Sequence, residues 1–136
     1  MRRRDWSDER GSVSVLVAVL AVAFLMVAGL ALDGGRKLGA LSEARDLADN
    51  AARAGARAVD TDAYQLTGSP NLDPVEAQQA ALDYLAATGE SGSVVVNGPT
   101  VTVTVTLSVP TRFLPGPFIV HATESATAIF SVEGTP

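Results

Sequence analysis

The spacing of apolar residues changes character along this chain, and each change marks a different element. Residues 11–32, GSVSVLVAVLAVAFLMVAGLAL, hold no charge, and Ser12 and Ser14 are their only polar side chains. Helical hydroxyls can bond back to their own backbone, so neither serine breaks the segment. About twenty such residues at roughly 1.5 Å rise cross a hydrocarbon layer of about 30 Å. A run this long and apolar on every face would otherwise need a large domain around it. It predicts a transmembrane helix. Gly34 and Gly35 then mark a bend just outside the membrane. From residue 36 to 59 apolar positions recur at three- and four-residue intervals: Leu38, Leu41, Ala44, Ala48, Ala51, Ala52, Gly55 and Val59. That is one helical stripe. It narrows to Ala and Gly, so whatever packs there must come close. Beside it, Arg45, Asp49 and Arg53 stand at i, i+4 and i+8 and predict an ion-pair ladder.

A polar connection over residues 60–72 leads to a second helix. Asp73 suits the N-cap, Pro74 the first helical position, and Glu76 the third position of a capping box. Gly89 suits the C-terminal stop. After Gly92 the period becomes two. Residues 93–97 predict a short strand, Asn97-Gly98-Pro99 a turn, and 100–109 a strict alternation. Val101, Val103, Val105, Leu107 and Val109 face one way; the threonines between them and Ser108 face the other. The connector PTRFLPGPF holds three prolines and cannot be a central strand. Residues 119–132 alternate again, with Glu124 interrupting the apolar face and therefore expected at an edge. One apolar helix stripe and one apolar sheet face make a two-layer α+β domain. The expected architecture is a single N-terminal transmembrane helix extended into a pilin-like domain with a small antiparallel sheet. Its parts are a basic cytoplasmic tail (1–10), the span (11–32) and an extracytoplasmic domain (33–136).

Composition narrows the picture. Hydrophobic residues make up 47% of the chain but aromatics only 5%, so the core is built from small side chains. With no cysteine, neither disulfides nor thiolate metal sites can form. The net charge of −5 is uneven: from Ala58 onward Arg112 is the one base against eight acids. An acidic domain repels a phosphate backbone, which argues against nucleic acid as a partner. Arg2, Arg3, Arg4 and Arg10 precede the span, while Arg36, Lys37 and Arg45 follow it, so the positive-inside bias is slight. The N-inside orientation rests mainly on the short tail before the span and the domain-like patterning after it. A cleavable signal peptide is the rival reading, with Gly29 and Ala31 as a small-x-small site. Against it, the apolar run exceeds the usual h-region, and the following segment reads as the same helix.

No catalytic set emerges. His121 is the one histidine, and its parity puts it opposite the Val/Ala face. Asp60-Thr61-Asp62 opens like a calcium loop, but Gln65 and Asn71 stand where Gly and Glu are needed. GESGS lacks the spacing of a nucleophile elbow, and GLALDGG has neither the lysine nor the strand context of a phosphate loop. No enzyme activity, cofactor, metal or small-molecule substrate is expected. Phe113, Leu114, Phe118 and Ile119 cluster among the prolines. They are expected to fold over the end of the core; the competing reading is a contact patch for the membrane or a partner subunit.

Two stretches, DERGSVSVLVAVL and GLALDGGRKLGALSEARDLADNAARAGARA, resemble the N-terminal region of TadE/TadG-like (Flp/Tad) pilus-assembly proteins, and the C-terminal third loosely resembles short actinobacterial-type members. The shared elements are an Arg-Gly pair before the span, here ending in Gly11, and an Asp-x-Gly-Arg element after it, matched by Asp33, Gly35 and Arg36. The resemblance implies a membrane-anchored, pseudopilin-like accessory subunit of a Tad/Flp pilus assembly or secretion system. Its implied partners are the lipid bilayer and other Tad/Flp membrane proteins. The chain departs from peptidase-processed, pilin-like members, which carry Glu five residues after the cleaved glycine; here that position is Leu16. The competing readings are a membrane-anchored envelope interaction protein unrelated to pili and a secreted small domain with a cleaved signal peptide.

Overall fold

The computed structural model describes residues 7–58, 66, 68 and 72–128, with side chains from residue 11 onward. Helix α1 (Ser7–Gly55) is one unbroken helix of 49 residues, about 74 Å long. The bend expected at Gly34 and Gly35 is absent, because helical geometry runs through both. Two glycines cost a helix only about 2 kcal/mol in propensity, and α1 is held by contacts on either side of them. Its first part is exposed on every side, including Val13, Leu16, Phe24, Leu25 and Leu32. Among the described residues α1 is the one helix long and apolar enough to cross a membrane.

Helix α2 (Pro74–Thr88) starts and stops as its sequence predicts. The Asp73 carboxylate accepts from the backbone N–H groups of Val75 at 2.9 Å and Glu76 at 3.1 Å. At the other end Gly89 is left-handed (φ 79°). Its N–H reaches the Ala86 carbonyl, and the Glu90 N–H reaches that of Leu85, the paired closure of a Schellman motif.

Strands β1 (Gly92–Asn97), β2 (Thr100–Val109) and β3 (Phe118–Thr127) form an antiparallel sheet in the order β1-β2-β3. Asn97 pairs with Thr100 across a two-residue turn, where Gly98 takes a positive φ of 57° and Pro99 follows it. That is the requirement of a II′ hairpin. β3 is an edge strand, so Glu124, opposite Val103, lies at the edge as its sequence suggested. Both helices cover one face of the sheet: α1 lies on β2 and β3, and α2 lies against α1 and β1.

The core is alanine against valine. Ala44, Ala48, Ala51 and Ala52 of α1 are fully buried against Val101, Val103 and Val105, with Ala77, Ala81 and Leu85 of α2 closing the side. Gly55 ends the stripe: a β-carbon there would sit 2.7 Å from the Ala77 carbonyl and 3.1 Å from a Val101 methyl. Leu38, expected on the stripe, is instead 69% exposed: at about 100° per residue it stands roughly 120° round the helix from Ala44, off the face that Asp33, Ala40 and Ala44 turn to the domain. Of the expected ladder only Arg53–Asp49 pairs, at 2.9 Å, the one ion pair among the described residues. The long side chain of Arg45 finds no anchor on this exposed face. α1 ends at Gly55, before the expected Val59. Val59, the Asp60-Thr61-Asp62 segment and positions 129–132 of the expected last strand lie outside the described residues.

The outer face of the sheet is a polar ladder. Thr100 meets Thr127, Thr104 meets Thr123, and Thr106 meets Nδ1 of His121, all within 3.0 Å. His121 thus lies opposite the Val/Ala face, as its parity requires.

Helix and strand lengths match. Ten residues of β2 at about 3.4 Å each span about 34 Å, and α1 climbs about 33 Å from Asp33 to Gly55. The hairpin at Gly98 therefore lies near the Gly55 end. The connection leaving β2 at Val109 comes down beside Asp33.

Candidate functional site

At that lower end the β2–β3 connection, residues 110–117, folds against α1. Asp33 is buried, with 1% of its surface exposed, although it follows directly on the uncharged run. Its carboxylate accepts three consecutive backbone N–H groups: Arg112 at 3.2 Å on Oδ1, and Phe113 at 3.0 Å and Leu114 at 3.2 Å on Oδ2. Burial pushes the carboxyl up, but the bonds from Phe113, Arg112 and Leu114 and the charge of Arg36 outweigh it. The group is held below its ordinary value of 3.8. A buried carboxylate without such donors would be expensive; with them it becomes a clamp.

The loop meets the clamp with few free donors. Pro110, Pro115 and Pro117 bring no N–H. The Thr111 hydroxyl lies 2.6 Å from the carbonyl oxygens of both Leu114 and Gly116, its single proton shared between them. Gly116 is left-handed (φ 86°), which lets the chain reverse between two prolines. Below Asp33, the Phe113 ring rests against Gly29, where a β-carbon would stand 2.7 Å from the ring. Phe113 and Leu114 join Met26 and Leu30 around an apolar groove. Above Asp33, the Lys37 ammonium stands 5.1 Å from the centre of the Phe118 ring, a cation–π contact. Arg36 and Arg112 share a second, more polar groove with Val109, Pro110 and Thr111.

The residues singled out in the sequence divide here. Asp33 is joined to Phe113 and Leu114, while Phe118 starts β3 under Lys37. Ile119 faces the outer side of the sheet and is 60% exposed, so the four apolar residues do not form one patch. Nor does the loop fold over the core: Phe113 is 61% exposed and leans on α1, because three backbone N–H groups are drawn to Asp33. Gly35 and Gly11 have open space at their β-carbon positions, and Arg36 is exposed. Gly29, Thr111 and Lys37 were not legible as parts of this site. The nearest signal was an ionisable residue at the end of an uncharged run, facing a loop with three prolines. No group of three or more His, Cys, Asp or Glu that could hold a metal occurs among the described residues.

Taken together, an α+β domain seated on the far end of one long apolar helix defines the class of protein this is. Residues 11–58 of this chain match the family of putative Flp pilus-assembly TadE/G-like proteins, and the resemblance seen in the residues is borne out over that segment. No curated protein and no solved structure matches the chain.

Proposed function

We propose that this chain is a membrane-anchored, pseudopilin-like accessory subunit of a Tad/Flp pilus assembly or secretion system. Residues 11–32 cross the membrane, the preceding basic residues stay in the cytoplasm, and the domain from residue 33 lies outside. The observation that carries this reading is the family match over residues 11–58, the segment formed by the exposed apolar run and the helix that supports the domain. The domain offers no clustered metal ligands among its described residues and is fastened to its helix along about 33 Å, which suits transmission of position. Its partners in this reading are the bilayer and other Tad/Flp membrane proteins.

Deletion of the chain followed by imaging of surface pili tests the role, and capture from detergent tests the partners. Loss of pili together with recovery of Flp-assembly membrane proteins is expected. Intact pili and capture of unrelated envelope proteins would turn the reading toward an envelope interaction protein. A protease site at the C-terminus, cut from outside in intact spheroplasts while the protein resists carbonate extraction, checks the topology.

A further inference from the structure

The β2–β3 loop meets α1 at a level that matters if residues 11–32 cross a bilayer. Gly29, on which Phe113 rests, lies three residues before the end of the uncharged run, about 4.5 Å inside it, and Met26 lies about 9 Å inside. A membrane that covers the run therefore reaches the loop tip as well. Lipid tolerates non-helical backbone only where its polar groups are satisfied from within the protein. This loop meets that demand at most of its donor positions and at two of its carbonyls. Three of residues 110–117 are prolines without a donor, Asp33 takes three of the five remaining N–H groups, and Thr111 covers two carbonyls. The side chains at the tip are the exposed Phe113 and Leu114.

Charge supports the same placement. From Ala58 onward the chain has eight acids and one base, and that base is Arg112, at this loop. It shares a groove with Arg36, and Lys37 stands on the adjoining turn. Arg36 and Lys37 lie about 6 and 7.5 Å beyond Leu32 along the axis, the level of lipid phosphates. Long cationic side chains reach such groups while their stems stay in apolar surroundings.

We infer that the β2–β3 loop is a second membrane contact of this protein: Phe113 and Leu114 sit among acyl chains at the domain-side boundary of the bilayer, Asp33 closes the loop's backbone, and Arg36, Lys37 and Arg112 meet lipid phosphates. The inference rests on the membrane-anchored reading above. It gives the domain one fixed orientation on the bilayer, since a helix and a loop tip together define a plane where a helix alone leaves free rotation.

The chain has no cysteine, so single labels can be placed without background. Nitroxides at Leu114→Cys, Leu25→Cys and Val95→Cys are read in the full chain in vesicles of phosphatidylcholine and phosphatidylglycerol. Collision with oxygen, which concentrates in lipid, is compared with collision with a nickel chelate, which stays in water. Oxygen-dominated collision at positions 114 and 25, with nickel-dominated collision at 95, is the expected result. Lipid-like behaviour at 25 with water-like behaviour at 114 overturns the inference and leaves the anchor standing. Water-like behaviour at 25 overturns the anchor and the inference with it. Shielding of position 114 from both reagents shows a protein surface covering the loop, a second copy or a partner, and also overturns it. Asp33→Ala should move the label at 114 from lipid to water without moving the label at 25. An unmoved label overturns the part assigned to Asp33.

Discussion

At Gly55, α1 runs so close to α2 and β2 that a single β-carbon would collide with the Ala77 carbonyl; at Asp33, about 33 Å down the same helix, the contact is one carboxylate and three backbone N–H groups. The upper contact is dry, broad and made of side chains so small that backbones nearly touch. It gains from dispersion over many atoms, none of them individually important. The lower contact is narrow and directional, and one carboxylate makes all of its hydrogen bonds to the loop backbone. A stripe tolerates many changes of identity provided volume is kept, whereas a clamp tolerates almost none. The upper contact is suited to holding the domain together, and the lower one to fixing where one loop sits.

The largest effect is expected in the upper contact. Ala48→Leu or Ala52→Leu adds three carbons to a fully buried position facing the sheet. Overpacking of this kind costs about 1–3 kcal/mol, and Asn50→Ala, on the exposed face, should be close to neutral. Urea unfolding of the full chain in micelles reads the difference. Equal effects at all three positions would mean that the stripe is not where the domain is held.

The same contrast explains what could be read in advance. The stripe, the caps of α2, the hairpin at Gly98 and the alternation of β2 were all legible, because each is a local pattern with a fixed period or offset. Leu38 failed the pattern because three- and four-residue steps drift round a 3.6-residue helix, which leaves it at the stripe's edge, turned from the face that Asp33 and Ala44 share. The clamp was only half legible. Asp33 stood out as a motif residue, and Phe113 and Leu114 as an apolar cluster. Nothing local joins positions 80 residues apart. The partner groups are backbone N–H, which every loop has, so no side-chain code announces them. That three prolines and a left-handed glycine shape the loop to present those groups becomes visible only once β2 is seen to match the helix in length.

The next effect is local. Asp33→Asn keeps the shape but removes the charge and replaces one acceptor oxygen with a donor. Asp33→Ala leaves the N–H groups of Arg112, Phe113 and Leu114 without their partner. In both variants hydrogen exchange should accelerate in the peptide covering residues 110–117, more for Ala than for Asn, while peptides of β2 and α2 keep their protection. Loss of protection throughout the sheet would show that the two contacts are not separable.

Acidity should do reversibly what the substitution does permanently. The folded-state pKa of Asp33 lies below its ordinary value of 3.8, so its contribution is fully present above that value and is lost as pH falls through the lower one. Fast exchange at residues 112–114 is therefore expected to appear only below about pH 3.8 and to be absent between pH 5 and 7. A transition near neutrality would assign loop docking to some other group.

Gly29→Ala should act more gently. The added methyl meets the Phe113 ring at 2.7 Å, closer than atoms can stand. The neighbour is an exposed side chain and can rotate away, however, so the ring should move while Asp33 keeps its hydrogen bonds. A probe at position 113 would report the displacement, and protection of the loop amides should stay within reach of the parent value. Loss of that protection would show that the ring, and not the carboxylate, holds the loop.

The smallest effect is expected from the charges beside the stripe. Asp49 and Arg53 pair at 2.9 Å with side chains 41% and 65% exposed. Exposed i,i+4 pairs contribute about 0.3–0.5 kcal/mol, and less in high salt. Arg53 also stands in the last turn of α1, where a cation meets the partial negative charge of the helix end. Asp49→Asn should therefore remove the pair alone, whereas Arg53→Gln removes the pair and the helix-end interaction. A double-mutant cycle in urea, at low salt and again at 0.5 M (roughly 4 Å screening length), separates the two. The coupling should fall toward zero in salt, with the residual cost of Arg53→Gln staying below about 1 kcal/mol. A cost rivalling that of Ala52→Leu would mean that charges around the helix end, rather than the alanine stripe inside it, hold the domain to α1.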